Sequence, residues 1–278
     1  MLCVTILEVV QMVLSVIGTG QMGQALIQGM IQNQAIEPDN VWLYDSDKAK
    51  VTAIAEQYGA HISQSAEQAA SQGDLILIAV KPAVVANVLE TIRPVLTTQI
   101  VLSIAAGITL SDLRGWAGDK PALARIMPNT PAKVGAAVSA VCFDQTSETQ
   151  RQDTLNLLSA CGRVFTVNES SMDAVTGLSG SGPAYIMLVI EALADGGVLE
   201  GLPRDMALEM AAMTVYGAAK MVLDTQTHPA VLKDQVCSPG GTTIRAVDSL
   251  ESDGLRSALI RAVSAAADRS RQMGKKHG

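Results

Sequence analysis

The sequence predicts an α/β chain. A mainly parallel sheet with helices on both faces fills the N-terminal part, and an all-helical part follows it. Three observations predict this. Strand and helix signals alternate from Val13 to Val167, the order that builds a parallel sheet layered with helices. No further convincing strand follows residue 168. A short apolar run, Met12 to Ile17, ends in a G-x-G-x-x-G segment that passes directly into a helical pattern.

That last segment, Gly18-Thr19-Gly20-Gln21-Met22-Gly23 followed by Gln24 to Met30, has the strand–turn–helix setting that a dinucleotide fingerprint requires. Gly18 permits the tight turn, Gly20 lets the backbone approach a pyrophosphate, and Gly23 lets helix and strand pack closely. The N–H groups at the helix start face an anion. Residues 1–168 are therefore expected to form a Rossmann-type dinucleotide-binding domain. Within it residues 1–11 read as an extension, and Met12 serves equally well as a start.

The later elements follow in order. Val41–Tyr44 reads as the second strand, Asp47–Tyr58 as a helix closed by Gly59 at a C′ position, and Ala60–Ile62 as a short strand. Asp74–Val80 is a continuous apolar run, the mark of a strand buried on both faces. Pro82 suits the first turn of the next helix. Strands are expected at Ile100–Ile104, Ala122–Met127, Val134–Phe143 and Arg163–Val167, and helices at Ser111–Trp116 and Ser147–Cys161. Residues 169–278 are expected to be helical throughout, with helices at Pro183–Leu199, Pro203–Leu223, Pro229–Val236, Thr242–Leu250 and Leu255–Met273. Ala184, Ile186, Met187, Leu188, Val189 and Ile190 make the first of these apolar on more than one stripe. A surface helix needs one stripe only, so this helix is either a subunit interface or the centre of a monomer; the interface is the favoured reading.

Bulk properties exclude several classes. The chain has 278 residues, 48% of them apolar and 17% charged, which is ample for a core. A net charge of −7 opposes general nucleic-acid binding, which needs a basic footprint. Cys3, Cys142, Cys161 and Cys237 are scattered and the three histidines lie far apart, so no metal site is expected. Scattered cysteines suit a reduced, cytoplasmic setting. The apolar N-terminus has no basic n-region and is interrupted by Glu8, so neither a signal nor a membrane segment is expected there.

Several stretches are candidates for chemistry. Asp45 lies roughly 20 residues past Gly23, where an acid binds a ribose 2′-hydroxyl and favours NAD. Ser46, Lys48 and Lys50 suit a 2′-phosphate instead, or simply a solvated helix start beside Asp47. Ala79-Val80-Lys81-Pro82, Ala105-Ala106-Gly107 and the Asn129 loop Met127–Pro131 each follow a strand, at the edge where ligands gather in open α/β sheets. In the helical part, Thr176–Tyr185 reads as a helix start, with Pro183 at N1 and Ser181 assisting the cap. Ser238-Pro239-Gly240-Gly241-Thr242-Thr243 precedes another helix; its glycine N–H groups form an anion nest, suited to a small carboxylate beside three hydroxyls.

Alcohol oxidation needs a positioned base such as His, Lys or Tyr. His61, His228 and His277 are not obvious bases and read as structural or exposed, while Tyr185 and Lys220 stay open. Reduction of a C=N bond is less demanding, because a protonated iminium accepts hydride once a hydroxyl orients its nitrogen.

With these segments assembled, the chain resembles the pyrroline-5-carboxylate reductase family. The matching stretches are Gly18–Gly23, Ala79–Pro82, Met127–Pro131, Ala174–Tyr185, Glu191–Val198, Leu232–Asp234 and Ser238–Thr243. The resemblance implies a Rossmann domain with an α-helical dimerisation domain, and a homodimer built into larger homo-oligomers such as a decamer. It implies reduction of 1-pyrroline-5-carboxylate to L-proline, with NADP(H) preferred and NAD(H) accepted. Gly18, Thr19, Gly20, Gln21, Met22, Gly23, Ser46, Ala79, Val80, Lys81, Pro82, Ala105, Ala106, Gly107 and Asn129 are expected at the cofactor, with Lys81 and the Ala105–Gly107 loop by the nicotinamide. Ser238, Gly240, Gly241, Thr242 and Thr243 are expected at the substrate. Thr243 and Lys81 are the catalytic candidates. Asp45, and Ala66 where some members carry an Asn, depart from the family pattern. Two other readings are a 3-hydroxy-acid dehydrogenase, opposed by the lack of Lys in Pro183–Leu199, and a non-catalytic NADP-binding sensor, opposed by the intact Ser238–Thr243 loop.

Overall fold

Strand and helix alternate as far as Thr166 in the structure, a computed structural model that describes residues 12–274. The expected extension over residues 1–11 lies outside the described residues. β1 (Leu14–Ile17) leads to α1 (Gln21–Gln32), β2 (Val41–Tyr44) to α2 (Lys48–Tyr58), and β3 (His61–Ile62) to α3 (Ala66–Gln72). β4 (Leu75–Ile78) leads to α4 (Pro82–Ile92) and β5 (Ile100–Ser103) to α5 (Leu110–Ala117). β6 (Ala122–Met127), β7 (Ala137–Asp144), α6 (Glu148–Ser159) and β8 (Gly162–Thr166) complete the pattern.

The eight strands form one sheet in the order β3-β2-β1-β4-β5-β6-β7-β8. Every pair is parallel except β6 with β7. The exception has a local cause. A 3₁₀ turn at Thr130–Val134 joins these two strands, and so short a link cannot make the crossover that a parallel pair needs. Val134, expected as the start of β7, therefore lies in that turn; the chain reverses at Gly135 (φ +69°) and the strand begins at Ala137.

The central strands are buried on both faces, which is why they read as unbroken apolar runs. Leu75 and Leu77 of β4 pack on one side with Leu14, Val16, Leu26, Met30 and Leu102. Ile76 and Ile78 pack on the other with Ile17, Val85, Leu89 and Val101. The period of two along each strand sorts them. Helix starts are held by their own side chains: Asp47 caps α2, Ser65 caps α3, and Thr109 with Asp112 and Ser147 with Gln150 form capping boxes on α5 and α6. α3 is a helix the sequence pattern does not predict, because its inward face consists only of Ala66, Ala69 and Ala70.

Beyond Thr166 the described residues are helical apart from the links. α7 (Met172–Val175) runs into a π-helical turn at Thr176–Gly180, then come α8 (Gly182–Leu199), α9 (Arg204–Thr225), α10 (Pro229–Gln235), α11 (Thr242–Ser252) and α12 (Leu255–Gly274). The α/β class with a helical C-terminal part stands as expected. The capped helix start at Ser181 does not. Ser181 sits in the helical region (φ −88°, ψ −21°), and its N–H donates to the Thr176 carbonyl five residues back, at 2.9 Å. Small residues tolerate this wide turn, and the Asn129 amide donates to the Ser179 carbonyl at 3.0 Å.

The chain divides into two compact units. Described residues 12–181 and 265–274 form the first, and Gly182–Ser264 the second. In the second unit α8 and α9 form a hairpin closed by small residues: Ala194, Ala207 and Ala211 are buried between them. A Cβ on Gly197 would stand 3.1 Å from that of Ala207, so glycine lets the two helices approach. Most of the larger apolar side chains of this unit are exposed, among them Met187, Leu188, Met213 and Leu223.

Candidate functional site

The strands β1, β2 and β4 end flush, with Ile17 level with both Tyr44 and Ile78. The sheet order reverses between β1 and β4, the switch point at which open α/β sheets bind ligands. Gly18, Asp45 and Ala79 thus arrive at one edge. Gly18 adopts φ +102°, and a Cβ there would lie 2.7 Å from the Ala79 carbonyl carbon and oxygen. Its N–H donates to the Tyr44 carbonyl at 2.8 Å. A Cβ on Gly23 would lie 2.6 Å from the Gly18 oxygen, so this glycine is needed where α1 meets the turn. A Cβ on Gly20 would meet nothing within 4 Å. The open space lies over the middle glycine, which in such a fingerprint admits a pyrophosphate, and α1 starts there without a side-chain cap. The residues present fit a dinucleotide.

Thr19 is buried, and both its N–H and its hydroxyl donate to Asp45 Oδ2, at 2.7 and 2.9 Å. Asp45 Oδ1 accepts from the Asp47 N–H at 3.0 Å. Burial alone would raise the Asp45 carboxyl, but these hydrogen bonds and the Lys50 charge outweigh it and hold the group below its ordinary value. Asp45 braces the glycine turn, a contact with no signature in local sequence. A cavity of about 250 Å³ opens beside it, lined by Gly18, Tyr44, Asp45, Ser46, Glu67 and Val80 among others. Ser46 is exposed at its rim; Lys48 and Lys50 are not among the lining residues, and Lys50 pairs with Asp47 at 3.5 Å.

Lys81 is exposed at the start of α4, with Pro82 in the first turn as expected. Gly107 is closely covered, since a Cβ there would touch Met273 Cβ at 3.0 Å. Ala105 is buried and Ala106 is half-buried in the core. Asn129 is buried with its amide engaged at both ends, accepting from the Val138 N–H at 2.9 Å while donating to Ser179. Met22 is half-buried and Gln21 exposed. Gln21 Oε1 accepts from Lys133 Nζ at 2.7 Å, which places a cation beside the first residue of α1; nothing in the sequence near Lys133 signals this. Arg125 is a second buried surprise. It points from β6 to Glu169 at 3.3 Å, and Glu169 also accepts from the Leu110 N–H at 2.7 Å. A charge inside an apolar strand is itself the sequence signal that a buried partner exists.

In the second unit the Ser238–Thr243 segment forms the start of α11. Gly240 takes φ +69°, and the Gly241 N–H donates to the Ser238 carbonyl at 3.0 Å. A Cβ on Gly241 would stand 2.2 Å from Ser238 Oγ. Gly241 is the N-cap, again with no side-chain cap, so the first-turn N–H groups of Thr242 and Thr243 are available to an anion. Ser238 and Thr242 are exposed and Thr243 half-buried.

The other candidates have structural employment. Tyr185 Oη donates to the Ala262 carbonyl at 3.4 Å. Lys220 pairs with Asp224 on the exposed side of α9. His61 stacks on Trp42 with ring centroids 4.6 Å apart, and His228 Nδ1 caps α10 by accepting from the Ala230 N–H. His277 lies outside the described residues. Burial, and then the Glu169 charge, push the Cys142 thiol up to about 11, and burial pushes Cys161 up to about 12, so neither is a nucleophile near neutrality. Among the described residues no group of three His, Cys, Asp or Glu is placed to hold a metal.

Comparison with known proteins bears on this geometry. Residues 169–273 match the family model described as pyrroline-5-carboxylate reductase dimerisation. Residues 13–107 match one described as NADP oxidoreductase, coenzyme F420-dependent. The chain is similar to the pyrroline-5-carboxylate reductase of Arabidopsis thaliana, 42% identical over 92% of this chain and 94% of that one. It is 43% identical to the Synechocystis protein of the same name, over 95% and 98%. Among solved structures it is similar to the pyrroline carboxylate reductase of Plasmodium falciparum with NADP bound, with TM-score 0.88 and 32% identity over 95% of this chain and 98% of that one.

Proposed function

The chain belongs to the pyrroline-5-carboxylate reductase family, and on that premise we propose how its residues share the reaction. It is an NAD(P)H-dependent oxidoreductase that reduces the C=N bond of 1-pyrroline-5-carboxylate to L-proline, the last step of proline biosynthesis. A bound nicotinamide cofactor supplies the hydride. Gly18, Gly20 and Gly23, with Thr19, Gln21 and Met22, seat the pyrophosphate at the uncapped start of α1. Ser46 stands at the adenosine end. Ala79 to Pro82, Ala105 to Gly107 and Asn129 shape the sheet edge. For Asn129 this is through backbone, its amide being engaged elsewhere. Lys81 adds a positive charge at that edge.

The observation that carries the reading of the second unit is the uncapped start of α11 beneath the Ser238–Gly241 turn. There the substrate carboxylate meets the N–H groups of the first turn, with Ser238, Gly240, Gly241 and Thr242 around it. Thr243 Oγ1 accepts the N–H of the protonated ring nitrogen and so aims the adjacent carbon. Hydride arriving at that carbon sends the C=N π pair to nitrogen and yields the neutral secondary amine. No His, Cys or metal is called upon.

Full-length protein should oxidise NADH or NADPH, followed optically, when pyrroline-5-carboxylate is added. The Thr243→Ala variant should lose about 10²-fold in kcat/KM. No turnover with either cofactor defeats the reaction assignment, and an unchanged value in the variant removes Thr243 from it.

The helical stretch Glu169–Leu199, which contains α7 and α8, and α9 are each long and apolar enough to cross a bilayer. We read them as dimer faces, since α8 carries Glu191 and Asp195 along its length and Asp195 pairs with Arg204 at 2.5 Å. The homodimer is then the smallest working unit, a decamer is the proposed assembly, and the cytoplasm is the proposed location.

A further inference from the structure

NAD and NADP differ only in a phosphate on the 2′ oxygen of the adenosine ribose, so the choice between them belongs to the groups around that oxygen. The cavity beside Gly18 lies at the end of β2, where the ribose of a dinucleotide is read. Asp45 and Glu67 both line it, and among the described residues no Lys or Arg does. Asp45 cannot swing away to admit a phosphate: Thr19 holds Oδ2 through two hydrogen bonds and the Asp47 N–H holds Oδ1 through a third. A carboxylate offers about four acceptor positions. Three are taken here, and the one left on Oδ1 suits a single hydroxyl donor. Lys50, whose charge reaches Asp45, pairs with Asp47 at 3.5 Å and does not line the cavity.

We propose that this cavity selects NADH: Asp45 accepts the 2′-hydroxyl, and the charges of Asp45 and Glu67 reject a 2′-phosphate. The inference rests on the reading of the first unit as the dinucleotide carrier of a pyrroline-5-carboxylate reductase. It departs from the NADP(H) preference that the family resemblance implies. Asp45 is a specificity-determining residue in this account, and it also positions the glycine turn through Thr19.

The test uses full-length protein and compares kcat/KM for NADH and NADPH at saturating pyrroline-5-carboxylate. Wild type should favour NADH at least tenfold. Asp45→Asn keeps an acceptor for Thr19 but removes the charge, and should move the NADPH-to-NADH ratio at least tenfold toward NADPH. Glu67→Gln should move it severalfold the same way. The ratio within one variant cancels any general loss from a loosened turn. A wild type that favours NADPH or neither cofactor, or an unchanged ratio in Asp45→Asn, overturns the proposal. If neither cofactor supports turnover, the reductase reading fails, and fluorescence titration with NADH and NADPH still decides this one. Tighter NADH binding upholds it, and equal, reversed or absent binding overturns it.

Discussion

Strand β4 and helix α8 are both built almost entirely of hydrocarbon, yet one is hidden and the other stands in the open. Leu75 to Ile78 are at most 1% exposed, while Met187 and Leu188 are 62% and 66% exposed. The difference lies in how each element meets its neighbours. A strand inside a parallel sheet gains two flanking strands and two layers of helix from its own chain, so its core closes within one copy. α8 is apolar around much of its circumference, and its chief partner within the second unit is α9, along the Ala194, Ala207 and Ala211 seam. The rest of its apolar surface is left exposed in the single copy, and residues 169–273 match a dimerisation model. The first unit thus closes its core within one copy, and on the proposed reading the second completes its own by association.

Substitutions that strike one unit and spare the other can break this contrast. The largest effect is expected from Leu188→Glu. A charge buried without a partner in an interface costs roughly 3–5 kcal/mol, so the species seen by sedimentation should fall to the monomer, with activity lost. An unchanged assembly would show that this face of α8 is not covered by another copy. Gly18→Ala comes next. The strained φ of +102° and the 2.7 Å approach to Ala79 should cost about 2–4 kcal/mol and abolish dinucleotide binding measured by fluorescence titration, while the assembly seen by sedimentation stays as in wild type. The smallest effect belongs to Thr109→Ala, which removes the capping box of α5. It should cost about 1 kcal/mol, read as a fall in Tm of about 2–4 °C, with assembly and kcat/KM unchanged. Loss of assembly in either of the last two variants would mean that the units do not store stability separately.

The legibility of the chain follows the same division. β4, β5 and β6 were readable because burial on both faces leaves no polar alternation, and β2 because Pro38 to Asn40 turns the chain just ahead of it. The glycine fingerprint and the Ser238–Thr243 turn were readable because each is a local solution to a local problem, an uncapped helix start with room for an anion. α3 escaped notice because alanine alone makes a weak apolar face. The π turn at Thr176–Gly180 escaped because Asn129, some fifty residues earlier in the chain, takes up the Ser179 carbonyl. Thr19 with Asp45, Lys133 with Gln21, and Arg125 with Glu169 escaped for the same reason: each pairs groups from separate elements.

The sequence by itself determined the α/β order, the two glycine-rich helix starts and, through its motifs, the family and the reaction. These depend on periodicity, on glycine placement and on residue types within a few positions of each other. Tertiary structure alone decided that β7 runs antiparallel, that the Asp45 carboxylate is pinned by Thr19 and Asp47, and that Glu67 shares its cavity. Those properties arise where separate elements end at one sheet edge. The glycine turn is thus written in the chain, while the charge beside it is set by what folding brings there.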